Sequence, residues 1–254
     1  MTVLLDVDAL RVTYGGVTAV DGVDLAVPEG KVIGLIGPNG AGKTSTIDAL
    51  TGYHAPSKGK VVFDGEDITS MRAHQRARRG LVRTWQSVEL FDDLTVDENL
   101  LVASERMGVW QALRDLLLPI GAHSRDDVDW ALALCGLTEV ADRNPTELSH
   151  GRRKLVGVAR ALAQRPRLVL MDEPAAGLDT DESLELGRHL RSLPGAVVTV
   201  LLVDHDMNLV LNICDEVVVL DFGQVIARGT PAEIRRNEAV IGAYLGSHDE
   251  AANG

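Results

Sequence analysis

The sequence predicts an α/β fold in which a core of buried strands and helices is preceded by short antiparallel strands and interrupted by a helical insertion. Three observations carry that expectation. The apolar run Val32-Ile33-Gly34-Leu35-Ile36 leads directly into a glycine-rich turn and then a helix over about 43–50. Between 94 and 163 the apolar positions follow the helical period instead. Strand-length apolar runs then return at 168–171, 197–203 and 217–220, separated by helical patterns that begin near Asp181 and Met207.

Taken in chain order, residues 10–14, the turn Gly15-Gly16, residues 23–27 and Pro28-Glu29-Gly30 read as short antiparallel strands joined by tight turns. Residues 61–63 with Asp64-Gly65 form a further strand and turn, and 71–79 a short basic helix. Within the insertion, Thr95 caps a helix over 96–107, Ser124-Arg125-Asp126-Asp127 opens a second, and 151–164 forms a third. Two small helices, 231–237 and 239–245, close the chain. One domain over 1–246 is therefore expected: 1–93 and 165–246 supply the β framework, and 94–164 is a helical subdomain. Residues 247–254, with no large apolar side chain, are expected to be disordered.

Composition narrows the function classes. The 254 residues are 45% hydrophobic and 24% charged, as in an ordinary globular protein. The net charge of −12 argues against sequence-independent binding of nucleic acid, whose phosphates it would repel. Cys135 and Cys214 stand far apart without a Cys or His at metal-ligand spacing, so both are expected to be reduced core thiols. The first residues lack a basic stretch followed by a long apolar one, and no apolar run approaches the ~20 residues of a spanning helix, so a role at a membrane is expected to run through partners.

The chemistry begins at Gly37-Pro38-Asn39-Gly40-Ala41-Gly42-Lys43-Thr44, which fits the phosphate-loop pattern G-x-x-x-x-G-K-S/T at every fixed position, with Ser45 following. Glycines let backbone N–H groups curl around phosphate oxygens, Lys43 reaches the β- and γ-phosphates of ATP, and the Thr44 hydroxyl suits Mg²⁺. Farther on, Leu168-Val169-Leu170-Met171-Asp172-Glu173 is an apolar strand ending in two carboxylates. Asp172 is placed to hold Mg²⁺ and Glu173 to polarise an attacking water. A lone glycine-bearing loop or an acidic strand end is weak; the pair together points to a nucleotide hydrolase.

Four further stretches carry a resemblance to a known family. Leu148-Ser149-His150-Gly151-Arg152 resembles the signature Leu-Ser-Gly-Gly-Gln of the ABC ATPases, and Glu173-Pro174-Ala175-Ala176-Gly177-Leu178-Asp179 continues into a segment similar to their D-loop. Val82-Arg83-Thr84-Trp85-Gln86 resembles their Q-loop, and Leu202-Val203-Asp204-His205-Asp206 their His switch. The resemblance runs from Leu4 to Gly246 and implies a RecA-like P-loop core with an antiparallel β subdomain and an inserted helical one. It implies that Tyr14 stacks on adenine, that Gln86 contacts Mg²⁺ or the water, and that His205 bonds the γ-phosphate. It also implies that Ser149 and the Gly151 N–H bind the nucleotide of an opposite subunit and that Asp179 bridges the two. His150 and Arg152 depart from the common signature; Ser149 and Gly151 keep the phosphate-facing groups, and Arg152 with Arg153 is expected either to aid anion binding or to be a solvated turn.

The stretches 173–178, 203–210 and 240–246, with the long linker 103–125, are similar to the ATPases of branched-chain amino-acid importers. Urea, amide and lipid transporters with nearly the same ATPase are the alternatives. The implied partners are transmembrane permease subunits, a second ATPase subunit and a substrate-binding protein, at the cytoplasmic face of the cell membrane. A DNA-repair ABC ATPase would need a long coiled coil and a ribosomal one two tandem nucleotide domains, and a binding module without turnover would not need Glu173 and His205. Arg72, Arg76, Arg78, Arg79 and Arg83 suggest a basic helix beside a membrane or on acidic loops of a partner more simply than a nucleic-acid surface.

Overall fold

The computed structural model describes residues 2–84, 89–104, 122–196, 198–204 and 206–251. The expected Gln86 and His205, and the end of the first insertion helix at 105–107, lie outside them.

Two sheets organise the chain. The first is antiparallel, in the order β2-β1-β4-β5, built from β1 (Val3–Tyr14), β2 (Val17–Pro28), β4 (Lys58–Phe63) and the short β5 (Glu66–Asp67). The second runs β10-β9-β3-β8-β7-β6, with β3 (Val32–Ile36), β6 (Leu81–Thr84), β7 (Leu168–Asp172), β8 (Thr199–Val203) and β9 (Glu216–Asp221) parallel and β10 (Gln224–Gly229) antiparallel at one edge.

Side-chain alternation explains why the parallel strands are apolar throughout, since successive residues of a strand serve opposite faces. On one face Val32, Ile36, Val169, Met171, Val200, Leu202, Val217 and Val219 join the core that the helices of the insertion cover. On the other, Ile33, Leu35, Leu168, Leu170, Leu201, Val203, Val218 and Leu220 join the core shared with the antiparallel sheet. Each central strand thus holds two cores together.

Helix α1 (Lys43–Thr51) follows β3, and α2 (Ala73–Arg78) precedes β6. The insertion contributes α3 (Val96–Ser104), α4 (Ala122–Leu134) and α5 (His150–Leu162). The expected cap on α3 is present and reciprocal: Glu98 N–H donates to Thr95 Oγ1 at 3.2 Å, while Thr95 N–H donates to Glu98 Oε2 at 2.8 Å. Asn99, fully buried, spends its amide on the carbonyls of Phe91, Leu94 and Thr95 and accepts from Phe91 N–H, which fixes how the chain enters the insertion. Helices α6 (Thr180–Ser192), α7 (Met207–Ile213), α8 (Pro231–Ile234) and α9 (Glu238–Ala251) complete the chain.

The structure departs from the sequence reading in three places. Strands β6 and β10 were not expected: both are sheet-edge strands, short and interrupted by charged residues, so their apolar pattern is weak. Helix α9 continues past Ser247, where an unstructured tail is expected; glutamate and alanine in that segment are good helix formers. The basic helix is a basic surface only in part, through the exposed Arg72 and Arg78. Arg76 is buried and donates to the carbonyls of Ala49, Leu50, Thr69 and Met71, Arg79 pairs with Glu66, and Arg83 points into the core. Burial lowers the Arg76 guanidinium to about 10, still charged at neutral pH.

Both cysteines are free and buried, and burial pushes each thiol up to about 12, which leaves them protonated and inert at neutral pH.

Candidate nucleotide site

Parallel strands end on the same edge, so the loops that follow β3, β8, β7 and β6 converge there. That topology gathers residues far apart in sequence: the glycine loop after β3, Asp204 after β8, and Asp172 with Glu173 at the end of β7.

The loop is held by close backbone packing. A Cβ at Gly37 would fall 2.2 Å from the Leu220 carbonyl oxygen, and one at Gly42 2.4 Å from that of Ala19. Gly42 also has φ +98°, a conformation side chains disfavour. Ala41 N–H closes the turn onto Pro38 O at 3.2 Å, and Gly223 N–H donates to Ala41 O at 3.0 Å, tying the loop to the turn between β9 and β10. Pro38, Asn39, Gly40 and Ser45 complete the curl, with Asn39, Gly40 and Thr44 exposed.

Lys43 is buried, and its ammonium donates to the carbonyls of Gly37 (2.8 Å) and Pro38 (3.0 Å). Burial lowers its pKa below the ordinary lysine value, against the opposing pull of Glu173, Asp172 and Asp204. The buried Asp172 carboxyl is raised above its usual range, first by desolvation and then by Glu173 and Asp48, while Arg83 counteracts. Glu173 is half-buried, sits at φ +47° and donates its N–H to Val203 O at 2.7 Å. A non-glycine residue in that conformation is strained, and such strain collects at functional sites. Asp204, fully buried, accepts from Asp206 N–H at 2.9 Å and Ala175 N–H at 3.4 Å, joining the ends of β8 and β7.

The sequence places Arg83 in the Q-like stretch and in a basic run, with no role of its own. Its side chain is 6% exposed, and its two terminal nitrogens donate to Asp48 Oδ1 at 2.5 Å and Asp172 Oδ2 at 2.8 Å. The available signal was an arginine inside the apolar run Leu81-Val82-Arg83, whose charge needs an acidic partner when buried. Lys154 on α5 was also missed. It is buried, and desolvation lowers its pKa while Asp204 and Glu173 oppose, so a second lysine faces the carboxylates from the helical side.

The signature segment opens α5. Ser149 caps the helix by accepting from Arg152 N–H at 3.3 Å. Gly151 N–H donates to Glu182 Oε1 at 3.0 Å, a carboxylate carried by α6. Asp179 in turn caps α6 by accepting from Glu182 N–H at 2.9 Å. His150 lies over the D-like turn, its Nε2 3.3 Å from where a Cβ on Gly177 would be. Arg153 pairs with Asp92 at 3.1 Å, and Arg152 is exposed. Tyr14, half exposed, packs its ring on His54 with centroids 4.5 Å apart.

A phosphate loop between a buried strand and a helix, facing two carboxylates at the end of a neighbouring parallel strand, defines a P-loop nucleotide hydrolase. Within that class the chain belongs to the ABC transporter family, whose model, described as ABC transporter, matches residues 20–176. A second model, described as branched-chain amino acid ATP-binding cassette transporter, matches residues 224–250. The chain is 44% identical over 251 residues to the high-affinity branched-chain amino acid transport ATP-binding protein BraF of Pseudomonas aeruginosa, covering 96% of this chain and 98% of the relative. It is 38% identical over 252 residues to the corresponding protein LivG of Escherichia coli, with the same coverage, and 34% identical over 243 residues to the lipopolysaccharide export system ATP-binding protein LptB of Haemophilus influenzae, covering 96% and 97%. The ADP conformation of an ATP-binding cassette of an ABC transporter superposes with a TM-score of 0.86 at 30% identity, covering 97% of this chain and all of the other. The RecA-like ABC ATPase fold read from the sequence is therefore the fold of this chain, and the chain is an ABC-type, ATP-binding ATPase subunit. Among the described residues no helix is long and apolar enough to cross a membrane.

Proposed function

We propose that this subunit hydrolyses Mg²⁺-bound ATP at the cytoplasmic face of the cell membrane to drive an importer of branched-chain or related amino acids. The observation that carries the catalytic part is the convergence of Lys43, Asp172 and Glu173 on one sheet edge beneath the glycine loop. Support for the substrate class comes from the BraF and LivG relatives and from the C-terminal match at 224–250; the lipid exporter relative is less similar.

In this reading Gly37 to Ser45 cradle the phosphates, Lys43 leaves its loop carbonyls for the β- and γ-phosphates, and Tyr14 receives the adenine. The donor set suits Mg²⁺. Among the described residues no three His, Cys, Asp or Glu side chains form a cage, and Mg²⁺ prefers one or two protein oxygens together with phosphate and water. Thr44 and Asp172, with Gln86, would hold it, and it would neutralise charge on the phosphates. Glu173 accepts a proton from the attacking water, and its fixed backbone holds the carboxylate in place as it does so. His205, next to the buried Asp204, senses the γ-phosphate.

The second half of the site is the signature of another ATPase subunit, whose Ser149 and Gly151 close on the nucleotide and whose Asp179 lies at the seam. Residues 94–164 act as the subdomain that moves. A cleft of about 450 Å³ where β6 meets α3 and α5, lined by Arg83, Glu89, Lys154, Arg160 and Gln164 among others, suits docking of a transmembrane permease. A substrate-binding protein delivers the solute on the far side.

The test is Glu173→Gln, which keeps shape but removes the base. Size-exclusion chromatography is expected to show an ATP-dependent dimer that ADP does not produce and that Ser149→Arg abolishes, with a partner ATPase added if the working pair is mixed. A species indifferent to nucleotide under all these conditions overturns the sandwich.

A further inference from the structure

Whereas Lys43 is turned back onto Gly37 and Pro38, Arg83 bonds Asp172 directly. Its planar fork reaches two carboxylates from different elements, Asp48 of α1 and Asp172 of β7, and both it and Asp172 are almost wholly withdrawn from solvent. A guanidinium stays charged at any accessible pH, and in a buried position its field on neighbouring ions is weakly screened. Without it, Asp48, Asp172 and the nearby Glu173 would present clustered carboxylate oxygens, the donor chemistry that hard divalent cations take.

We propose that Arg83 is a positioning residue that makes cation binding at Asp172 conditional on nucleotide, because its guanidinium occupies, between Asp48 and Asp172, the place a free divalent ion would take. A polyphosphate reverses the local balance of charge: it draws Lys43 and supplies the oxygens a metal needs, and Asp172 is then shared. The inference rests on the ATPase reading above. A merely structural role, fastening α1 to β7, would cost stability on mutation without creating a cation site.

The experiment uses the full chain without nucleotide and Mn²⁺ alone as probe, with binding read from loss of the free-ion electron paramagnetic resonance signal and from the shift in unfolding temperature. Arg83→Gln is expected to bind Mn²⁺ at least about tenfold more tightly than the wild type and to be stabilised by it, in the range of ordinary site-to-site coupling. Arg83→Lys, which keeps the charge, restores exclusion, and Asp172→Asn added to Arg83→Gln removes the new site. Equal Mn²⁺ binding by wild type and Arg83→Gln, or binding that survives Asp172→Asn, overturns the proposal. So does micromolar nucleotide-free Mn²⁺ binding by the wild type, a measurement that stands even if the variant does not fold. Failure of the ATPase reading itself would show separately, as ATP turnover undiminished in Lys43→Ala.

Discussion

The two halves of the site are built on different principles. On the core side, the glycine loop, Lys43, Asp172 and Glu173 sit at the ends of strands buried on both faces, and their positions follow from the sheet. On the helical side, Ser149, Gly151 and Asp179 are occupied within their own chain, by Arg152 N–H, by Glu182 and by Glu182 N–H respectively. In the first half the backbone is set by folding, and only side chains exchange partners, Lys43 leaving Gly37 and Pro38 and Asp172 shared with Arg83. In the proposed sandwich the second half must release a backbone N–H from Glu182 to accept a ligand, so binding and closure would be separable events.

Mutations should divide along that line. The largest effect is expected from Lys43→Ala, which removes the point charge from the prebuilt half: ATP hydrolysis should fall by at least about a hundredfold, the scale of losing one preorganised electrostatic contact, in a steady-state phosphate-release assay. Gly42→Ala comes next. Its Cβ would meet the Ala19 carbonyl and its φ is unfavourable, so strain of about 1–3 kcal/mol should appear as weaker ATP binding by fluorescence titration and a lower melting temperature. An unchanged titration would mean that the loop is not held as described.

On the exchanging half the changes are smaller, and one is of opposite sign. Glu182→Ala frees the Gly151 N–H, so in the Glu173→Gln background the ATP concentration at half-maximal dimer should drop about fivefold, the worth of one hydrogen bond. A rise would show that Glu182 supports the signature rather than competing with its ligand. His150→Gly removes only a side chain packed over Gly177 and should change turnover by less than about tenfold. A larger loss would assign the imidazole a part in the chemistry.

The prebuilt half was the legible one. Strand, glycine turn and helix share a local pattern with a physical reason behind each residue, and the acidic end of 168–172 needs only its apolar run to be found. What the sequence hid were partners brought in by tertiary structure. Arg83 reads as one of five arginines until β6 pairs with β7, with Arg83 opposite Leu170 and its side chain reaching Asp172, and Glu182 reads as the acidic first turn of a helix until α6 crosses the start of α5. Edge strands β6 and β10 escaped for the related reason that half-polar strands have little periodicity to detect.

Arg76 has a consequence at a distance. Its guanidinium bonds the carbonyls of Ala49 and Leu50, which belong to the last turn of α1, the helix whose first turn carries Lys43 and Thr44. A helix is a macrodipole, and a cation at its C-terminal end stabilises the negative pole. Arg76 therefore earths α1 at the far end, and with that pole neutralised the positive pole at the phosphate loop is left unopposed. A neutral replacement such as Arg76→Met should weaken nucleotide binding although no atom of residue 76 approaches the phosphates, through the electrostatics of nine residues of helix acting as one body.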